Sequence, residues 1–106
     1  MSSDMLKGLA PDVRSAFEAL RRTYVDGLSQ RLKEMEQAMS GEEWLALGSC
    51  AHRLRGSAAG YGFQTLSDLA KRLEEQSSAA LGEGIGLAFV AIRDEIQSIQ
   101  RTRGSH

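Results

Sequence analysis

The stretch "GSCAHRLRGSAAGYG", residues 48–62, holds the one internal histidine, His52, with Gly48 and Gly56 each four residues away. Residues four apart share a helix face, so on a helix only hydrogens would stand above and below this imidazole. A glycine inside a helix costs about 1 kcal/mol relative to alanine, and two of them around one side chain call for a reason. Imidazole titrates near ~6.5, so its neutral, nucleophilic form is abundant at pH 7. Arg55 stands three residues on and Arg53 is adjacent. A phosphoryl group placed on the ring would find a cation within reach for charge-assisted hydrogen bonds. The residues describe a nucleophilic histidine with a cleared approach. Two plainer readings stay open on spacing alone: an incidental surface histidine, and glycines that let helices pack closely.

Other chemistries find less material. Cys50 and His52 are two apart and do not face each other on a helix. Without a second internal histidine no zinc site is expected, and Cys50 reads as a small, partly buried hydrophobe. Ser49 and Ser57 flank His52, but one helix supplies neither an oxyanion hole nor a third orienting group. "GEGIG" at 82–86 lacks the lysine and strand context of a phosphate loop and reads as a connector. The formal net charge is −1 with both signs interspersed, so no nucleic-acid face is expected.

The elements that must position His52 are helices. One proline in 106 residues and an abundance of Ala, Leu, Glu, Arg and Gln predict an all-α chain. The first amphipathic segment follows Pro11 and Asp12 and carries Val13, Phe17, Leu20, Tyr24, Leu28, Leu32, Met35 and Met39. The second opens at "SGEE", where Ser40 and Glu43 have capping-box spacing, and its stripe is Trp44, Leu47, Ala51, Leu54 and Ala58. "GYG" at 60–62 ends it. A third carries Leu66, Leu69, Ala70 and Leu73 and is expected to fray near "SSAA" at 77–80. The glycine-rich "LGEGIG" turn leads to a fourth with Ile85, Phe89, Ile92, Ile96 and Ile99. A short helix over residues 3–9 is also expected. Short connections make neighbours antiparallel, so the fold expected is an up-down-up-down four-helix bundle. Residues 1–103 form one domain, and 104–106, in a terminus like the start of an expression tag, form a tail.

The stripe of the second segment passes through Ala51, and one residue is about 100° of rotation. His52 therefore sits on the flank of the buried face, with Leu45, Gly48, Gly56 and Ala59 along the same flank. Trp44 and Tyr24 lie on core stripes and read as structural. Tyr61 and Phe63 either cap the bundle or touch a partner, and Lys71 and Arg72 add positive potential if the third helix packs beside the second.

"AHRLRGSAAGYGFQTLSDLAKRLEE", residues 51–75, resembles the signature of histidine-containing phosphotransfer (HPt) domains. The positions that carry the likeness are Ala51, His52, Leu54, Arg55, Gly56, Ser57, Ala58, Gly62, Leu66, Ala70, Leu73 and Glu74, with no insertion. The resemblance implies a four-helix bundle that passes a phosphoryl group between aspartates of receiver domains. It implies that His52 is the phosphoacceptor through Nε2 and that Arg55, where the family usually has lysine, helps to hold the phosphoryl group. It also implies that Gly56 leaves room for the receiver and that Glu74 hydrogen-bonds the other ring nitrogen. Arginine for lysine keeps the charge but alters hydrogen-bond geometry, so transfer rates could differ.

The expectation is thus a phosphorelay intermediate taking a phosphoryl group from one receiver and giving it to another, with no ATP site of its own. The alternative is a helical adaptor in which His52 is incidental. A kinase dimerisation-type bundle is disfavoured for want of an attached ATPase, and an enzyme for want of a second catalytic group. The docking surface is expected around His52 and comprises Leu45, Gly48, Arg53, Gly56, Ala59 and Lys71. No cofactor or metal is expected on this chain, the Mg²⁺ being the receiver's, and the partners are receiver domains of response regulators or hybrid kinases. A monomer, no membrane and a cytoplasmic location are expected, since no apolar run reaches the roughly 20 residues of a span and a lone cysteine suits a reducing compartment.

Overall fold

The computed structural model describes residues 11–79 and 82–104. These form four helices in sequence: α1 Pro11–Ser40, α2 Trp44–Gly60, α3 Gln64–Ala79 and α4 Gly82–Gly104. Each packs on its neighbours in the chain, and α4 closes the ring against α1. The helix expected over residues 3–9 lies outside the described residues. The apolar stripes meet as the 3.6-residue period requires. Leu28 and Met35 of α1, Leu47, Ala51, Leu54 and Ala58 of α2, Leu66, Ala70 and Leu73 of α3, and Ile85, Ile92 and Ile96 of α4 are all buried in one cluster.

The α1 stripe is covered over only part of its length. Val13 and Leu20 are exposed, and burial begins at Tyr24. The cause is length: the 30 residues of α1 span about 45 Å, against about 25 Å for the 17-residue α2. The N-terminal turns overhang the bundle and meet only its nearer end. There Phe17 lies 6.0 Å from the Tyr61 ring and Arg21 Nε donates to Tyr61 O at 3.0 Å. Tyr61 stacks on Tyr24 at 4.5 Å and Arg21 lies 4.2 Å above Phe63, so the 61–63 turn caps the bundle. Burial pushes the Tyr24 phenol above its ordinary range, opposed by a 2.8 Å hydrogen bond with Ser57.

Both connections that flank α2 use one backbone device. Phe63 N donates to Ala58 O and Gly62 N to Ala59 O, with Gly62 left-handed at φ 85°. Glu43 N donates to Ala38 O and Glu42 N to Met39 O, with Glu42 at φ 53°. This is the paired bonding that ends a helix on a left-handed residue, a place that favours glycine. The Ser40–Glu43 capping box does not form. Ser40 is the last residue of α1, Glu43 itself occupies the N-cap of α2, and no side chain caps that helix.

Two further expectations give way near the α3–α4 connection. "GEGIG" is not a connector but the first turn of α4, where Ile85 is fully buried. Helix formation there follows from packing, since a buried isoleucine outweighs weak local propensity. α3 does not fray at Ser77 but runs through Ala79, with Ser77 buried.

Candidate functional site

Burial of Leu47, Ala51, Leu54 and Ala58 turns the next residue after Ala51 to the flank, and the His52 side chain is 60% exposed. On α3, Leu66, Ala70 and Leu73 are buried, and Glu74 follows Leu73 as His52 follows Ala51. Two flank residues on adjacent antiparallel helices therefore face one another. The tight 61–63 turn sets the register, and Ser67 Oγ of α3 donates to the Arg55 carbonyl of α2 at 2.8 Å, tying the helices at the site.

His52, Glu74 and Arg55 converge. His52 Nδ1 lies 2.9 Å from Glu74 Oε2, Arg55 Nη1 lies 3.1 Å from Glu74 Oε1, and Arg55 Nη2 lies 3.3 Å from His52 Nδ1. One nitrogen cannot both donate to the carboxylate and accept from the guanidinium. The shorter contact, to a charged acceptor, decides: Nδ1–H donates to Glu74, and Arg55 is a close neighbour of the ring without a bond to it. The neutral ring then carries its lone pair on Nε2, which has no hydrogen-bond partner among the described residues. Glu74 Oε1 is buried and has no aligned donor, so Arg55 compensates its charge without completing a hydrogen bond.

An open groove of about 470 Å³ lies beside the ring, lined in part by Trp44, Leu45, Gly48, Arg53, Glu74 and Ser77. Of the expected docking residues, Leu45, Gly48 and Arg53 border it with His52, and Leu45 is 92% exposed. Gly56 and Lys71 are exposed and Ala59 is half-buried, and none of the three lines the groove. A methyl group on Gly56 would meet nothing within 4 Å, and one on Gly48 would touch Ser77 Cβ at an ordinary 3.6 Å. Close helix packing therefore requires neither glycine. What Gly56 leaves is open space beside the imidazole.

Trp44 and Ser77 were not legible as site residues. Trp44 packs partly on the core, as its place on the stripe predicts, yet also walls the groove. Ser77 lies one turn beyond Glu74, and that spacing was the available signal. A second groove of about 390 Å³, near the α2–α3 turn, is bordered by Glu18, Arg21, Arg22, Phe63 and Thr102 among others, and the Thr102 hydroxyl donates to Ser98 O within its own helix at 2.9 Å. Among the described residues no cluster of three metal-ligating side chains occurs, and no helix is long and apolar enough to cross a membrane.

The sequence model of the Hpt domain matches residues 19–102, which span all the groups just described. No curated protein and no solved structure matches the chain.

Proposed function

Because the chain belongs to the Hpt domain family, whose work is histidine phosphotransfer in phosphorelay signalling, we propose that His52 accepts a phosphoryl group from the aspartyl phosphate of one receiver domain and delivers it to another. The observation that carries this reading is the pairing of Nδ1 with Glu74 on an exposed side chain whose Nε2 has no partner among the described residues. A carboxylate that accepts a hydrogen bond from Nδ1–H holds the ring in the tautomer with a nucleophilic Nε2 and offsets the positive charge that develops on the imidazole. Phosphoryl transfer asks for in-line positioning and charge neutralisation, and a helix-borne ring braced at one nitrogen supplies the first. Arg55 and Arg53 provide nearby positive charge for the second. Mg²⁺ is assigned to the partner's receiver domain, and Leu45, Gly48, Gly56 and the groove to its docking face.

A panel of receiver domains, each acyl-phosphorylated with acetyl phosphate, tests the reading. Mixed with the wild type, a cognate receiver should pass on an acid-labile label within seconds to minutes, and His52→Gln should take up none. If no receiver labels the protein while the same panel labels a control phosphotransfer domain, the helical adaptor becomes the better account.

A further inference from the structure

The resting position of Arg55 is not the one that holding a phosphoryl group requires. Its guanidinium contacts Glu74 Oε1 at 3.1 Å and lies 3.3 Å from Nδ1, the ring nitrogen away from the nucleophilic Nε2. Glu74 Oε1 is buried and has no other compensation, since no aligned donor reaches it. One guanidinium thus faces two claims: the carboxylate that braces the ring, and the phosphoryl group that would form on the ring's other side.

We propose that Arg55 is an exchanging counter-ion, paired with Glu74 when His52 is free and drawn toward the phosphoryl oxygens when His52 is phosphorylated. Glu74 thereby competes for the cation and keeps the phosphohistidine a ready donor. The proposal rests on the phosphotransfer reading of His52. In the transfer step the Nε2 lone pair attacks phosphorus, and the bond from phosphorus to the aspartyl oxygen breaks. The carboxylate leaves with that electron pair, while Nδ1 keeps its proton and the ring becomes a cation. Dianionic phosphoryl oxygens then outbid a monoanionic carboxylate for Arg55, and Glu74 retains the imidazolium through Nδ1–H. Each return of the phosphoryl group restores the Arg55–Glu74 pair, which favours the outgoing direction. Both side chains are partly exposed, so the competition is worth a few-fold rather than orders of magnitude.

The wild type, Glu74→Gln, Arg55→Gln and the double variant can each be phosphorylated on His52 directly with potassium phosphoramidate. Glutamine keeps an acceptor for Nδ1–H while removing the charge that competes for Arg55. In ¹⁵N NMR spectra without any receiver, the Arg55 side-chain Nε–H signal should move on phosphorylation of the wild type. An unmoved signal overturns the proposal. In phosphoryl partition against an unphosphorylated receiver, losing the Glu74 charge also removes support for the imidazolium, so the competition is read as a difference. Glu74→Gln should favour the phosphohistidine about two- to fivefold more with Arg55 present than in the Arg55→Gln background. An equal effect of Glu74→Gln with and without Arg55 would show that the two side chains act independently and also overturn the proposal. If no receiver accepts the phosphoryl group, the relay reading fails, and the NMR result still decides the exchange.

Discussion

At the scale of the residue, the site depends on a proton held in one place. Nδ1–H of His52 donates to Glu74 at 2.9 Å, and that single bond leaves the lone pair of the neutral ring on Nε2, the atom proposed as nucleophile. Removing the carboxylate should leave the chain folded, because Glu74 lies on the flank of α3 with its side chain partly exposed. Glu74→Ala is expected to slow phosphoryl transfer about tenfold, the rate equivalent of about 1.4 kcal/mol. ¹⁵N chemical shifts of the ring should show the two neutral tautomers more evenly populated. A variant that transfers at the wild-type rate with a fixed tautomer would mean that something other than Glu74 orients the ring.

At the scale of the element, two positions trade local stability in opposite directions. Gly56 lies inside α2 with open space where a methyl would go, so Gly56→Ala removes a helix penalty without a clash. The substitution should stabilise the protein by about 0.8–1 kcal/mol, which for a domain of this size raises Tm by about 4–8 °C. The same methyl stands one turn from His52 on the proposed docking face, so on that reading transfer should slow while stability rises. Thermal melts and transfer rates on one sample separate the two effects. Glu42 is the opposite case, an L-residue at φ 53° in the position that ends α1, where Gly62 serves at the end of α2. Glu42→Gly should therefore stabilise by about 1 kcal/mol, against the usual cost of introducing glycine. A lower denaturation midpoint would show that the strain at this turn is negligible.

For the whole molecule, the unequal lengths of the helices decide which apolar residues matter. Leu28 and Leu20 belong to one stripe of α1 and are eight residues apart, yet Leu28 is fully buried and Leu20 is 57% exposed. Leu28→Ala should cost about 2–5 kcal/mol, as core truncations do. Leu20→Ala should stay within about 0.5 kcal/mol, as surface changes do. Urea titrations of the two variants measure both, and similar losses would show that the overhang of α1 is covered in solution.

What the sequence determined by itself is what depends on period and on residue type. The apolar steps of three and four place Leu47, Ala51, Leu54 and Ala58 in the core, and rotation by one residue then exposes His52. The place of Glu74 opposite the ring came from the likeness of residues 51–75 to phosphotransfer domains rather than from the period. These features were legible because one helix turn, or one tight turn between two helices, decides them. Tertiary structure decided what depends on the ends and lengths of elements. The capping box failed because α1 extends through Ser40, so the hydroxyl that would cap α2 is spent inside another helix. "GEGIG" became helix because Ile85 is buried in the core cluster, a gain that local glycine content cannot register. Arg55 turned toward Glu74 because α3 brings a buried carboxylate oxygen, without a hydrogen-bond donor, within 3.1 Å, and no spacing along α2 records that charge. Rotation about a helix axis is a local property, whereas overhang, cap choice and the pairing of a shared cation require the other helices to be in place.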